Sequence, residues 1–282
     1  MQKYNRPVLF YSLSLFIPWM IWSYVAYLSH LPEQTPSLLL LQSVLGMAGL
    51  VAPFFIALGL FLSNRVILDD FKSRFLNMTS FPVIYLLITL LLIFSSMVLA
   101  QLISVFFGHS LSQFVITGQP SFTSMQFSPW FILLFAPVVE ELAWHSYGTD
   151  TLRRSFNLFT TSMIFAFYWV FWHLPLSMIN GYYHSNMVAD GWIYALNFVF
   201  SLFVFVILMN WLYYKTNRNI LITVAFHLTA NVSNEIFATH PDSKVIQTVL
   251  LLIVTIIVLI KEKDMFFSKT LPEDKLVNQG NL

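Results

Sequence analysis

Long apolar segments recur along the whole sequence and limit what this chain can fold into. A helix of about 20 apolar residues crosses a bilayer core about 30 Å thick. Segments of roughly this length lie at residues 8–29, 38–62, 82–107, 129–148, 157–180, 191–214, 219–237 and 245–260. The alternating segments of a membrane barrel do not occur in the sequence. We therefore predict an all-α fold, a polytopic transmembrane helical bundle of about eight spans.

The composition excludes a soluble protein. The chain has 282 residues, of which 57% are hydrophobic and 10% are charged, whereas soluble domains contain about 25% charged residues. There is no cysteine, which excludes disulfides, thiolate metal sites and a cysteine nucleophile. A net charge of +1 gives no basis for nucleic-acid binding. The expected partner is therefore the lipid bilayer, with no nucleic acid.

The charges in the loops predict the orientation. Lys and Arg in short loops concentrate on the cytoplasmic side of a membrane. Of the 14 basic residues, all except Lys244 fall at the two termini and in the second, fourth and sixth predicted loops. This pattern predicts an integral, multi-pass membrane protein with an even number of spans and both termini in the cytoplasm.

A few ionisable residues lie inside the predicted spans. Glu140, Glu141 and His145 fall in the fourth span, His173 in the fifth and His227 in the seventh. A charged side chain at the centre of a membrane helix costs about 2.5 to 3.5 kcal/mol. Interhelical polar contacts return only about 0.6 to 2 kcal/mol each, so function explains these residues better than packing. The other histidines fall in predicted extracytoplasmic loops and are interpreted as solvated: His30, His109, His184 and His240.

Polar residues on three spans lie at one depth. A helix rises about 1.5 Å per residue, which places Glu140, His173, His227 and Asn231 near a common level in the bilayer. His227 and Asn231 are separated by one helical turn and share a face. Glu140 and Glu141 point about 100° apart. We therefore expect one of the two glutamates to face a cavity and the other to be held by a neighbour on its own helix.

Three short motifs occur in order on three predicted spans. They are Glu-Glu-x-x-x-His at 140–145, Trp-x-x-x-His at 169–173 and His-x-x-x-Asn at 227–231. Together they resemble the Glu-Glu-x-x-x-Arg, Phe-x-x-x-His and His-x-x-x-Asn motifs of the CPBP or ABI family of intramembrane (metallo)proteases, relatives of the type II CAAX prenyl endopeptidases. His145 replaces the arginine with a charge that depends on pH. Trp169 replaces the phenylalanine, a change that is expected to matter less.

The resemblance implies an intramembrane endopeptidase whose substrate is a membrane-embedded or lipidated peptide, such as a CAAX-type prenylated one. Glu140 and His173 would hold and activate a water in a polar cavity open to the cytoplasm. His227 and Asn231 would donate hydrogen bonds to the developing oxyanion. The signature motifs of serine, aspartyl and classical zinc intramembrane proteases do not occur in this sequence.

The cofactor stays open at this point. Glu141, which we count among the catalytic residues, would orient the site together with His145. Glu140, His173 and His227 are also suitable ligands for a divalent metal such as zinc, with one position left for water. The sequence does not distinguish a metal-held water from a water held by glutamate and histidine alone.

The predicted organisation has three parts. Residues 1–128 form the first three spans and their loops, 129–237 the catalytic core of spans four to seven, and 238–282 the last span and a cytoplasmic tail. The alternative function is a non-proteolytic one, as a bacteriocin-immunity or membrane scaffolding protein of the same family. A proton-coupled carrier should show repeats or broken helices near the midplane, and Pro137 is the only suggestive break.

Overall fold

The computed structural model describes residues 2–76, 82–122 and 126–269. These residues form helices and no β-strand, and one isolated antiparallel bridge joins Ile116 to Phe237. The α-helices, in chain order, are α1 (Pro7–Ser29), α2 (Pro36–Leu62), α3 (Arg65–Leu76), α4 (Val83–Phe106), α5 (Pro129–Ala143), α6 (Thr149–Arg153), α7 (Leu158–His173), α8 (Tyr183–Asp190), α9 (Trp192–Lys215), α10 (Ile220–Glu235), α11 (Pro241–Lys261) and α12 (Lys263–Phe267). The predicted all-α fold is confirmed.

Five of these helices are long and apolar enough to cross a membrane, namely α1, α2, α4, α9 and α11. A sixth candidate is a bent pair, Leu158–Met178 and Tyr183–Asp190, whose two parts meet at 85°. The chain is therefore an integral membrane protein. The predicted number of eight spans is not confirmed, because α5 has 15 residues and α10 has 16, which is short for a membrane helix.

Contacts between loops define two ends of the bundle. The contacts at one end join Tyr4 to Asp70, Arg153 to Ser268 and Lys215 to Glu262. The contacts at the other end join Asn180 to Ser29, Gln101 to Thr239 and Ser121 to Glu235. We call the first the terminal end, because the chain begins there and α12 lies there, and the second the loop end. Consecutive long helices run between the two.

The helices that carry the predicted site residues begin at defined caps. The side chains of Asn157 and Asn219 accept backbone N–H groups in the first turns of α7 and α10, which satisfies donors that a helix cannot pair internally. Pro129 opens α5, where the missing N–H costs nothing. At its other end α5 passes into a π-helical turn, Trp144–Gly148, before α6. Such turns are rare and often accompany functional sites.

Buried tryptophans pack α1, α7 and the π-helical turn after α5 together. The ring of Trp172 lies 4.7 Å from that of Trp22 and 5.5 Å from that of Trp144, both edge-to-face. This is a favourable arrangement of aromatic quadrupoles. The close approach of α1 to α2 depends on Gly49, where a Cβ atom would lie 2.3 Å from Trp22. The packing fixes α5 and α7 against each other, and with them the residues that line the site.

Part of the predicted cytoplasmic tail is helical. Helix α12 follows α11 directly, and Phe266 within it is fully buried. Residues 270–282 lie outside the described residues. The division of the chain into three parts stays a prediction.

Candidate active site

A cavity of about 520 Å³ enters the bundle from the loop end. Its lining includes Ser121, Asn186 and Asp190 near the mouth and extends inward to Glu140. Among the described residues, none from α3, from α6 or from the connection between α9 and α10 lines it. The cavity therefore opens on the face opposite the termini. The termini and the opening of the cavity, both predicted to be cytoplasmic, therefore lie at opposite ends of the bundle, and only one of the two predictions can hold.

The wall of the cavity brings together Glu140, His173, His227 and Asn231. Trp169 is the common neighbour of the first three. Its indole N–H donates to Oε2 of Glu140 at 3.1 Å, and its ring centroid lies 5.3 Å from that of His173 and 5.4 Å from that of His227. This convergence agrees with the common depth that the helical rise predicted.

Glu140 is buried, with 6% of its surface exposed, yet it reaches the cavity. Two indole N–H groups, from Trp169 and from Trp144 at 3.3 Å, donate to the same oxygen, Oε2. Within the described part of the chain no donor binds Oε1. The carboxylate is thus oriented through one oxygen, and the other remains for a ligand in the cavity.

His173 has a defined tautomer. Its Nδ1 lies 2.7 Å from the carbonyl oxygen of Trp169, which can only accept, so Nδ1 carries the proton. In the neutral ring Nε2 then holds the lone pair. The ring packs 5.0 Å from that of His184, which also lines the cavity. The prediction that His184 is a solvated loop residue is therefore wrong, because α8 folds back beneath the bent end of α7.

Glu141 lies behind the cavity wall and is fully buried. Its Oε1 accepts from Nδ1 of His227 at 2.8 Å, and its Oε2 binds Nδ1 of His145. One carboxylate therefore holds two imidazoles, one of which faces the cavity. The two adjacent glutamates have different surroundings, as their angular offset on α5 predicted.

A chain of hydrogen bonds orients His145. The hydroxyl of Ser162 donates to the carbonyl of Leu158 at 2.8 Å, so its oxygen accepts from Nδ2 of Asn210 at 2.9 Å. This turns Oδ1 of Asn210 towards Nε2 of His145, 3.0 Å away. Both ring nitrogens of His145 are thus engaged, one by Asn210 and one by Glu141. In the imidazolium form both would donate, and the ring would carry the positive charge of the arginine that it replaces.

Arg74 supports the π-helical turn from the terminal end. Its guanidinium donates to the carbonyls of His145 at 3.1 Å and of Ser146 at 2.8 Å. The hydroxyl of Tyr213 donates to the same His145 carbonyl at 2.6 Å. A π-helical turn interrupts the regular backbone ladder, and these donors satisfy the carbonyls that it displaces. The backbone just after the two glutamates is thereby held in place.

Asn231 joins two of the site helices. Its Nδ2 donates to the carbonyl of Leu133 on α5 at 3.2 Å. A side-chain amide has two N–H groups, so one remains for a ligand in the cavity.

Glu140, His173 and His227 do not converge as a metal triad. Among the described residues, only His109, His240 and Asp242 bring three ligand atoms within 4.8 Å of one another. Atoms that each bind one zinc ion at about 2.1 Å must lie within 4.8 Å of one another. As their side chains lie, the three cavity residues therefore do not meet as ligands of one metal ion.

Comparisons with known proteins identify the family of this chain. A family model described as Type II CAAX prenyl endopeptidase Rce1-like matches residues 124–233. Over 274 residues the chain is 31% identical to CAAX prenyl protease 2 of Methanococcus maripaludis, a match that covers 95% of this chain and 97% of the relative. The chain belongs to the type II CAAX prenyl endopeptidase family. It is an intramembrane endopeptidase, and membership of this family does not favour the non-proteolytic alternative.

Sequence reasoning missed several residues around this endopeptidase site. Trp169 was expected to be a minor substitution, but its indole N–H binds Glu140, which a phenylalanine ring could not do. The contact of Trp144 with Glu140 could have been predicted, since Trp144 lies one helical turn after Glu140. Asn210 could also have been singled out, because it is an amide within the apolar helix α9. No feature of the sequence points to Arg74, since only the tertiary fold brings α3 against the π-helical turn.

Proposed function

We propose that this endopeptidase hydrolyses a peptide bond in a membrane-embedded or lipidated peptide, and that its substrate class is a prenylated CAAX-type C-terminus. A CAAX motif carries its prenyl group on a cysteine followed by two aliphatic residues. The cavity suits such a substrate, because apolar side chains such as Leu50, Ile93 and Leu202 share its lining with Glu140. The relative from Methanococcus maripaludis carries this substrate class in its name.

Glu140 and His173 activate the water in this proposal. The observation that carries it is the meeting of Glu140, His173 and His227 around Trp169, on the wall of one cavity. The free oxygen of Glu140 and the lone pair on Nε2 of His173 are two acceptors for the protons of one water molecule. Proton removal by a positioned base contributes about 10²- to 10⁴-fold to a rate.

His227 and Asn231 stabilise the oxyanion. Nδ1 of His227 is committed to Glu141, so Nε2 is the atom that can face the substrate. Donation from Nε2 requires the imidazolium form of His227, and the Glu141 carboxylate is its counter-ion. The second amide N–H of Asn231 is the other donor. Fixed donors aimed at the tetrahedral oxygen are among the largest contributions to acyl-transfer catalysis.

The proposed reaction balances without a cofactor. Water adds to the carbonyl carbon as its proton passes to the Glu140–His173 pair. The C–N bond then breaks, and the same pair returns the proton to the leaving amine. Glu141 and His145 do not touch the substrate; they position His227.

We infer that the segments 129–153, 158–178 and 220–235 also cross the bilayer, which gives eight spans. Each connects the two ends of the bundle, although α5 and α10 alone are short. The loop charges support cytoplasmic termini, and this orientation puts the mouth of the cavity on the opposite face.

The catalytic proposal is tested with purified protein and a fluorogenic peptide that ends in a farnesylated CAAX motif. Glu140→Gln should abolish cleavage, whereas Asp190→Asn, which removes another carboxylate from the same cavity, should leave it intact. Mass spectrometry of the products gives the bond that is cut. Cleavage by Glu140→Gln at the wild-type rate contradicts the assigned base. Equal cleavage of the unprenylated peptide contradicts only the substrate class.

The orientation is tested with single cysteines, for which this cysteine-free chain is a clean background. Ser155→Cys lies at the terminal end and Gln119→Cys near the mouth of the cavity, and both positions are exposed. In intact cells a membrane-impermeant maleimide should label Gln119→Cys and spare Ser155→Cys. The reverse pattern would put the mouth in the cytoplasm and refute the orientation taken from the loop charges.

A further inference from the structure

A second group of ionisable side chains lies at the loop end, apart from the endopeptidase site. It consists of His109, which follows α4, and His240 and Asp242 at the start of α11. Their ligand atoms all lie within 4.8 Å of one another. The sequence separates His109 from the other two by more than a hundred residues, so the fold is what brings them together.

The distances within this group suit a small cation. Oδ2 of Asp242 lies 3.1 Å from Nε2 of His109 and 3.6 Å from Nδ1 of His240. Ligand atoms around a tetrahedral zinc ion, each about 2.1 Å from the metal, are separated by about 3.4 Å. The two imidazole rings also lie close, with centroids 4.1 Å apart. An ion placed between the three atoms needs little movement of the side chains.

A neighbouring residue orients the carboxylate. The hydroxyl of Tyr194, in the first turn of α9, donates to Oδ1 of Asp242 at 2.9 Å. This leaves Oδ2 directed at the two imidazoles. Carboxylate ligands of metals are commonly held by such outer hydrogen bonds. The group therefore draws on three helices, α4, α9 and α11.

The group is open to water and lies beside the mouth of the cavity. The exposed fractions of the side chains are 23% for His109, 44% for His240 and 47% for Asp242. Tyr194 and Pro241, which adjoin the group, are part of the cavity lining. A cation bound here would link the ends of α4, α9 and α11 beside the mouth of the cavity.

We propose that His109, His240 and Asp242 form a site for one divalent cation of the zinc class, separate from the endopeptidase residues, which ties three helices together at the mouth of the cavity. Two imidazoles and one carboxylate favour zinc or a similar transition metal over magnesium or calcium. Nδ1 of His240 accepts from the Asp242 amide at 3.2 Å. The cation takes this lone pair when it binds.

The site is tested with the full-length protein in detergent, stripped with a chelator and titrated with Zn²⁺ by isothermal calorimetry and metal analysis. Wild type should bind one ion per chain at this site, and its melting temperature should rise with Zn²⁺. His109→Gln and His240→Asn should each lose the ion and the shift. Asn is a preferred helix cap, so His240→Asn removes the ligand and keeps the start of α11. Tyr194→Phe should weaken binding roughly tenfold or more.

Two controls separate this site from other histidines. His30→Gln changes an exposed loop histidine outside the group, and His173→Gln changes the endopeptidase site. Both should bind the ion as wild type does. Retention of the ion by His109→Gln, or its loss from His173→Gln alone, would overturn the proposal, as would wild type that binds no Zn²⁺. Metal-free melting curves of all variants show whether each has folded.

Discussion

Four charged side chains at the terminal end bind one another, whereas the ionisable residues deeper in the bundle face an open cavity. Arg74 lies 2.8 Å from Asp70 and 3.1 Å from Asp150, and Arg218 also contacts both carboxylates. Tyr213 adds a hydroxyl to the same group. At the site, by contrast, Glu140 and His173 each have one polar atom bound by protein and one to which no described residue binds. The charged group at the terminal end is therefore saturated by its own members, whereas the site keeps polar atoms for a ligand in the cavity.

The comparison distinguishes charged residues that hold helices together from residues that can take part in a reaction. Burial alone would raise the pKa of the Asp70 carboxyl, but the guanidinium groups of Arg74 and Arg218 outweigh it and hold the pKa well below its usual range. Such a group stays ionised and saturated, so it can fasten helices but cannot exchange a proton with a substrate. A carboxylate with a free oxygen on a cavity can. We therefore expect substitutions in the two regions to affect different measurements.

The largest effect is expected at His173. His173→Gln removes the imidazole that we propose as an acceptor for a proton of the water, and cleavage of the farnesylated peptide should fall by about 10²- to 10⁴-fold. The melting temperature should change little. His184→Gln is the matched control, because His184 packs on the same ring and lines the same cavity. If both variants lose activity equally, His173 has no special role.

The next effect is expected at Asp150 and concerns stability. Asp150 is fully buried and bound by two arginines and two tyrosine hydroxyls. Asp150→Asn removes one of the two carboxylates that the guanidinium groups share and leaves them with Asp70, and breaking a buried pair in this way costs about 3 to 5 kcal/mol. Unfolding in a denaturing detergent measures this loss. Asp264→Asn, exposed at the same end, should leave the stability unchanged. An equal loss of stability there would contradict the assignment of the effect to the buried ion pairs of Asp150.

His145 tests the link between the two regions. His145→Gln removes the positive charge beside Glu141, and kcat should fall roughly 10- to 100-fold, as expected for a lost charge-assisted hydrogen bond. His145→Arg restores the charge found in the family motif and should keep most of the activity. Steady-state kinetics on the same peptide give both values. An active Gln variant beside an inactive Arg variant would show that shape matters here and charge does not.

The smallest effect is expected at the start of α7. Asn157→Ala removes the helix cap at the terminal end, far along α7 from His173, and should cost about 1 kcal/mol of stability. Asn157→Ser keeps a capping oxygen and should cost less. The activity per folded molecule should be unchanged in both. A loss of kcat in Asn157→Ala would mean that the site depends on the terminal end of this helix.

The relation between sequence and structure differs between these regions. Hydropathy and helical rise were enough to predict that Glu140, His173 and His227 meet, because a membrane helix fixes depth from residue number. The angular offset of the two glutamates was enough to separate their surroundings. The donors from Trp144 and Trp169, the support from Arg74 and the orientation of His145 depend on side chains that are distant in sequence or lie on different helix faces. No periodic pattern in the sequence predicts such contacts.

The sequence by itself determined the all-α membrane fold and the family, and it predicted the residues of the candidate site, because apolar length and short motifs are local properties of the chain. Only the tertiary structure decided that the cavity opens opposite the termini. It alone also decided that Glu141 serves two histidines and that His109 meets Asp242. The physical reason is that helix length and depth follow from local sequence, whereas the rotation of each helix and its neighbours follows from packing of the whole bundle.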